Sequence, residues 1–157
     1  MKEEKLEIKF NLYKETLFEV VYKHFDIEEE ILISKIQIRE VADVRRIIVK
    51  LLRFYFPNSK LQTIGSVVNR GSSNTTLQLI EHNNLLNTNY YYTKKFQLIE
   101  FELRKQIQLK KSLLELEEDK HALERELVII NSIIQEKKVN NIISKIDSIK
   151  YSSVTFH

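Results

Sequence analysis

Cysteine is absent from this 157-residue chain, proline occurs once (Pro57) and glycine twice (Gly65 and Gly71). Without thiols there is no disulfide framework, cysteine zinc site or thiolate nucleophile. Gly65 and Gly71 are six positions apart and Ser72, not Lys, follows the second, so there is no G-x-x-x-x-G-K-[ST] phosphate loop and that kind of nucleotide handling is excluded. No apolar run approaches the roughly 20 residues a membrane helix needs. The opening MKEEKLEIKF has no apolar core after its charges, as a signal peptide would. A cytoplasmic setting is therefore expected. His24, His82, His121 and His157 are scattered without metal-ligand spacing, so no metal and no cofactor are expected. No carboxylate pair stands outside an ordinary helix face, and an enzyme is not expected.

What is abundant is Leu, Ile, Glu, Lys and Asn, with no convincing period-two alternation, which points to an all-α protein. The reading is a small helical domain containing a helix-turn-helix, followed by a long coiled-coil-like helix. Residues 1–11 are charged and read as a loose N-terminus, 12–93 as the helix-turn-helix domain, 94–138 as the long helix and 139–157 as a short terminal helix and tail. The net charge of +3 is too small to imply a nucleic-acid partner by itself. Its distribution is more telling. Residues 35–82 hold eight basic and three acidic side chains, a net +5, whereas 97–138 hold eight and nine, a net −1.

The stretch Arg39–His82 carries the functional reading. Val41, Val44, Ile48, Leu51, Leu52 and Tyr55 recur at helical spacing from Arg39 to Phe56, with Arg39, Arg45, Arg46, Lys50 and Arg53 mostly elsewhere around the cylinder. Cations seven or eight positions apart on such a helix lie about 11 to 12 Å apart, a spacing that can follow phosphates. Pro57 stops the helix, and Ser59 with Gln62 reads as a capping box for the next, from Lys60 to Val68. A turn at 69–73 follows, with Ser72 or Ser73 capping a helix from about Asn74 whose Leu77 and Ile80 point to the core. Two short helices around a tight turn, propped on a longer one, form a helix-turn-helix whose second helix can enter a DNA major groove. Upstream, Leu17, Val20, Val21 and Phe25 mark one more helix, and Asp26 with Glu29 a capping box for a short one.

The pattern Ser34-Lys35, Arg39-Glu40-Val41, Arg45, Ile47, Arg53, Leu61, Ile64-Gly65 and Thr75-Thr76 resembles the C-terminal DNA-binding domain of the bacterial replication initiator DnaA, over residues 12–95. The resemblance implies phosphate contacts at Arg45 and Arg53 and a base contact at Thr75, and Arg39 keeps the family's basic character. The family's Gly-Gly-Arg-Asp-His is here Arg70-Gly71-Ser72-Ser73-Asn74, and Gln37 stands where its minor-groove arginine would be. Phosphate positioning is thus kept better than base readout. The family's ATP-driven assembly module has no counterpart.

The expected DNA-binding set is therefore Arg39, Arg45, Arg46, Arg53 and Lys60 for phosphates, with Ser72, Ser73, Asn74, Thr75 and Thr76 at the reading head. The partner is double-stranded DNA, in replication-origin recognition or its regulation, with a transcriptional regulator as the alternative. From Lys94 to Lys138 no Gly or Pro interrupts, and Leu109, Leu113, Leu116, Leu123, Leu127, Ile130 and Ile134 alternate in steps of four and three, with Lys120 as the one polar member. This is a heptad seam for oligomerisation, as a homodimer or with another coiled-coil partner. Its flanks Glu117, Asp119, Glu124 and Glu126 are acidic, so parallel self-pairing would set like charges near each other with few basic partners; antiparallel pairing and a different partner chain remain open, as does an intramolecular helical hairpin against the N-terminal domain. An interaction adaptor that has lost DNA binding is the further alternative. No membrane and no small-molecule substrate are expected.

Overall fold

The structure, a computed structural model, describes residues 1–154, in which six helices and no strand are found. The fold is all-α. The helices are α1 (Lys2–Phe25), α2 (Glu29–Ile33), α3 (Arg39–Tyr55), α4 (Leu61–Ser66), α5 (Ser72–Thr88) and α6 (Tyr90–Val154). Two compact units divide the chain, Met1–Lys110 and Lys111–His157.

In the first unit α3 is the central helix, packed against α1, α2, α4 and α5. Its Val44, Ile47, Ile48, Val49 and Leu52 are all fully buried. A helix so enclosed buries more than one stripe, which explains why apolar residues crowd its sequence. Phe10 and Tyr13 of α1 meet Tyr55 and Phe56 at ring centroid distances of 4.8 to 5.3 Å, tying α1 to the end of α3. Ile99, Leu103 and Ile107, spaced four apart on α6, enter the same core. Roughly the first six turns of the long helix therefore belong to this unit, whose boundary falls near Lys110 and not at 93.

Several local expectations differ from the structure. Residues 2–11 are helical, although 1–9 stay exposed. Good helix formers propagate a helix already nucleated by its packed half. Asp26 does not cap α2; it ends α1 in the left-handed region, at φ 55°. Ser59 does not cap α4 either, since the N-cap is Lys60 and no side chain caps it. The helix of the tail does not start anew, because α6 runs unbroken through Val154; residues 155–157 lie outside the described residues.

In the second unit, α6 from Lys111 onward is a single helix in which every Leu, Ile and Val from Leu113 to Ile149 is exposed. Among the described residues no helix is long and apolar enough to cross a membrane.

Candidate nucleic-acid interface

The core of the candidate site is the crossing of α4 and α5. Gly65 is buried, and a Cβ placed there would lie 2.1 Å from Thr75 Oγ1 and 2.6 Å from the Arg70 carbonyl oxygen. Only glycine allows this approach. Asn69 makes the turn with φ 55°, and the Arg70 and Val68 amides both donate to the Gly65 carbonyl, at 2.8 and 3.1 Å. Asn69 Nδ2 also donates to the Ile33 carbonyl at 3.0 Å, fixing the turn to the end of α2.

That crossing decides which side of α5 faces inward. Thr75 and His82 are fully buried and Leu79, Leu85 and Leu86 half-buried, while Leu77 and Ile80, expected in the core, are 64% and 54% exposed. Thr75 is thus a packing residue: its hydroxyl donates to the Gly71 carbonyl at 2.8 Å and cannot reach a base. Ser72, Ser73, Asn74 and Thr76 are exposed in the first turns of α5, with Gly71, not Ser72 or Ser73, at the N-cap. Thr76 Oγ1 donates back to the Ser72 carbonyl at 3.1 Å. Asn74 and Gln78 pair through their side-chain amides at 2.7 Å.

The arginines divide into surface and structural groups. Arg45, expected to hold phosphate, is 3% exposed. Its Nε donates to the Leu32 carbonyl at 2.8 Å, Nη1 to Ile36 at 2.5 Å, and Nη2 to Ile31 and Ser34 at 2.8 Å each. Those carbonyls belong to α2 and the connector after it, so the guanidinium ties the 31–36 segment to α3. Burial, with Arg70 nearby, lowers its pKa from the usual arginine value. Arg53, also expected on phosphate, is half-buried and donates to the Ser59 carbonyl at 2.9 Å, holding the α3–α4 turn. Arg39 and Lys60 are exposed, as is Lys35. Arg46 is half-buried and pairs with the buried Asp43 at 3.0 Å, whose other oxygen faces Lys95 of α6 at 3.4 Å.

Between the 34–38 connector, α3 and α5 lies a cleft of about 380 Å³ whose walls include Gln37, Arg46, Arg70, Asn74, Leu77 and Gln78. Arg46 Nε and Gln78 Oε1 are covered from bulk solvent yet have no hydrogen-bond partner. Unpaired polar atoms of this kind are uncommon in proteins, and here both flank one cleft beside the exposed start of α5. Neither Gln78 nor Arg70 stood out strongly in the sequence, because amide and guanidinium roles depend on which helix face is turned outward. Arg70 is itself anchored, Nη2 donating to the Ser34 carbonyl at 3.0 Å.

No family model, curated protein or solved structure matches this chain. The site's chemistry is that of cations and amides around an exposed helix start; among the described residues no cluster of three His, Cys, Asp or Glu side chains is placed to hold a metal ion.

The expected oligomerisation residues Leu109, Leu113, Leu116, Leu123, Leu127, Ile130 and Ile134 are all exposed, at 43 to 65% of their surface. They share α6, but Leu109 lies in the first unit and the other six in the second.

Proposed function

We propose that this protein is a non-enzymatic, sequence-preferring binder of duplex DNA that uses α4 and α5 as a DnaA-like helix-turn-helix. The observation that carries this reading is the Gly65–Thr75 crossing, which fixes α5 with a polar, exposed first turn next to a cleft holding Arg46 and Arg70. A helix N-terminus with exposed Ser and Asn side chains suits phosphate and base edges together. Asn74 and Gln78 have the amide chemistry that reads adenine, and the Thr76 and Leu77 side chains suit a thymine methyl. Lys35, Arg39, Arg46 and Lys60 supply phosphate contacts. Arg45 and Arg53 support these contacts indirectly by holding the connector and the α3–α4 turn in place. Origin recognition or its regulation is the process the DnaA resemblance favours, with transcriptional control as the runner-up.

Fluorescence polarisation on duplexes selected from a random pool, read at two salt concentrations, tests the reading. Arg39→Ala and Lys60→Ala are expected to weaken binding to all duplexes and each to reduce the salt slope by about 1. Asn74→Ala is expected to change which sequences are selected, at a cost of about 1 to 3 kcal/mol on the preferred site. Uniform effects of all three variants on every probe would sink these assignments. The inward turn of Arg45 and the tethering of Arg53 favour a second reading, an adaptor whose helix-turn-helix has lost DNA binding. No duplex binding even at low salt is the outcome that would select it.

A further inference from the structure

The exposed face of the second unit has a charge pattern that specifies its partner. Residues 111–126 carry Glu115, Glu117, Glu118, Asp119, Glu124 and Glu126 against Lys111, Lys120 and Arg125, a net −3. Residues 136–150 carry Lys137, Lys138, Lys145 and Lys150 against Glu136 and Asp147, a net +2. One helix thus has an acidic half followed by a basic half. The apolar seam does not stop at Ile134. It continues in steps of four through Lys138, Ile142 and Ile146 and a step of three to Ile149, so each turn from Leu113 onward offers a seam position, and only Lys120 and Lys138 are polar. Every apolar member is exposed. A lone helix with such a face in water lacks the partner that tertiary packing normally provides.

We infer that the 111–150 segment of α6 pairs antiparallel with the same segment of a second copy, centred near Asn131. A parallel pair would set Asp119 of one helix beside Glu124 of the other, twice by symmetry, and bring the two acidic halves together. Reversing one helix brings acidic halves against basic halves. With Asn131 at the centre, Leu113 lies opposite Ile149, Leu116 opposite Ile146 and Lys120 opposite Ile142. The same register places Asp119, on the flank just before Lys120, beside Lys145 on the flank just before Ile146, and sets Glu124 opposite Lys138, so the polar seam member Lys138 meets an anion. Read inward from either end, the seam begins with a step of three and then a step of four, which is why one register satisfies several layers at once. A different protein as partner would need no such complementarity within this chain. The inference deepens the reading of the heptad seam as an oligomerisation surface and is independent of whether α5 binds DNA.

Disulfide trapping tests it on the full chain, whose lack of cysteine makes every cross-link attributable to introduced residues. Leu116→Cys protein is mixed with a size-tagged Ile146→Cys protein and mildly oxidised. The expected product is the mixed dimer, with Leu116→Cys scarcely linking to itself. A disulfide bridges Cα atoms no more than about 7 Å apart, whereas 30 residues of helix span about 45 Å, so the two orientations give opposite products. Predominant Leu116→Cys self-linking would establish a parallel pair and overturn the inference while leaving the pairing itself intact. A monomer by sedimentation equilibrium at tens of micromolar would overturn both. A second pair of variants probes the charges. Asp119→Lys/Glu124→Lys protein and Lys138→Glu/Lys145→Glu protein are each expected to dimerise less than the parent and to recover when mixed. No recovery on mixing would reject the register.

Discussion

At the residue scale, Arg45 separates two roles that look alike in a sequence. Its guanidinium makes four hydrogen bonds to main-chain carbonyls and is almost wholly enclosed. Bonds from a charged donor are worth about 1.5 to 3 kcal/mol each, and removing the donor leaves buried acceptors unsatisfied. Arg45→Ala is therefore expected to lose roughly 3 kcal/mol or more in urea unfolding, whereas Arg39→Ala at an exposed helix start should stay within about 0.5 kcal/mol. Arg45→Lys should not restore the parent, because an ammonium lacks the planar fork that spans Leu32, Ile31 and Ser34. Equal midpoints for Arg39→Ala and Arg45→Ala would refute the structural role. A basic residue at helical spacing cannot announce this fate from the sequence, since the carbonyls it satisfies come from a segment 9 to 14 residues earlier in the chain.

At the element scale, the geometry of the helix-turn-helix depends on one contact. Gly65→Ala would force a methyl against both the Thr75 hydroxyl and the Arg70 carbonyl, and the latter is backbone that cannot swing away. A loss of about 1 to 3 kcal/mol is expected, with the α5 start displaced. The other glycine is a built-in comparison. No atom lies within 4 Å of a Cβ at Gly71, which is the N-cap of α5, so Gly71→Ser is expected to match or exceed the parent. Thermal unfolding of the two variants checks both, and a harmless Gly65→Ala would mean that α4 and α5 are not held this closely. The existence of α3 was legible because Val41, Val44, Ile48, Leu51 and Leu52 all point one way and Pro57 ends the run. The inward face of α5 was not legible. Its stripe of Thr75, Leu79, His82 and Leu86 contains two polar residues, so Leu77 and Ile80 looked like the better core positions.

At the scale of the whole molecule, His82 links α5 to the start of the long helix. It is fully buried, its Nδ1 lies 2.5 Å from Tyr92 Oη, and its ring meets Phe96 edge to face. Burial foremost, then Lys50 and Arg46, lowers the imidazole pKa to about 4, and burial raises that of the Tyr92 phenol. His82 is thus neutral in the folded unit and binds a proton more readily when unfolded. Above the ordinary imidazole value of about 6.5 neither state is protonated and the full stability is present. As pH falls from there toward about 4, the unfolded state alone takes up the proton, and about 3 kcal/mol is lost. The urea midpoint is expected to drop between pH 7 and 5, and His82→Gln to flatten that slope; an unchanged slope would show that His82 is not held neutral.

Composition alone determined that the chain is helical. Two glycines and one proline leave few places to break a helix, and apolar spacing locates α3 and the seam of α6. Those are local properties, written in neighbours three and four residues apart. Tertiary structure decided the rest: that Arg45 and Thr75 turn inward, that α5 exposes Leu77, and that α6 packs with the first unit as far as Lys110. Each depends on close approach between segments distant in sequence, where one missing Cβ or one set of free carbonyls outweighs the polarity of the side chain.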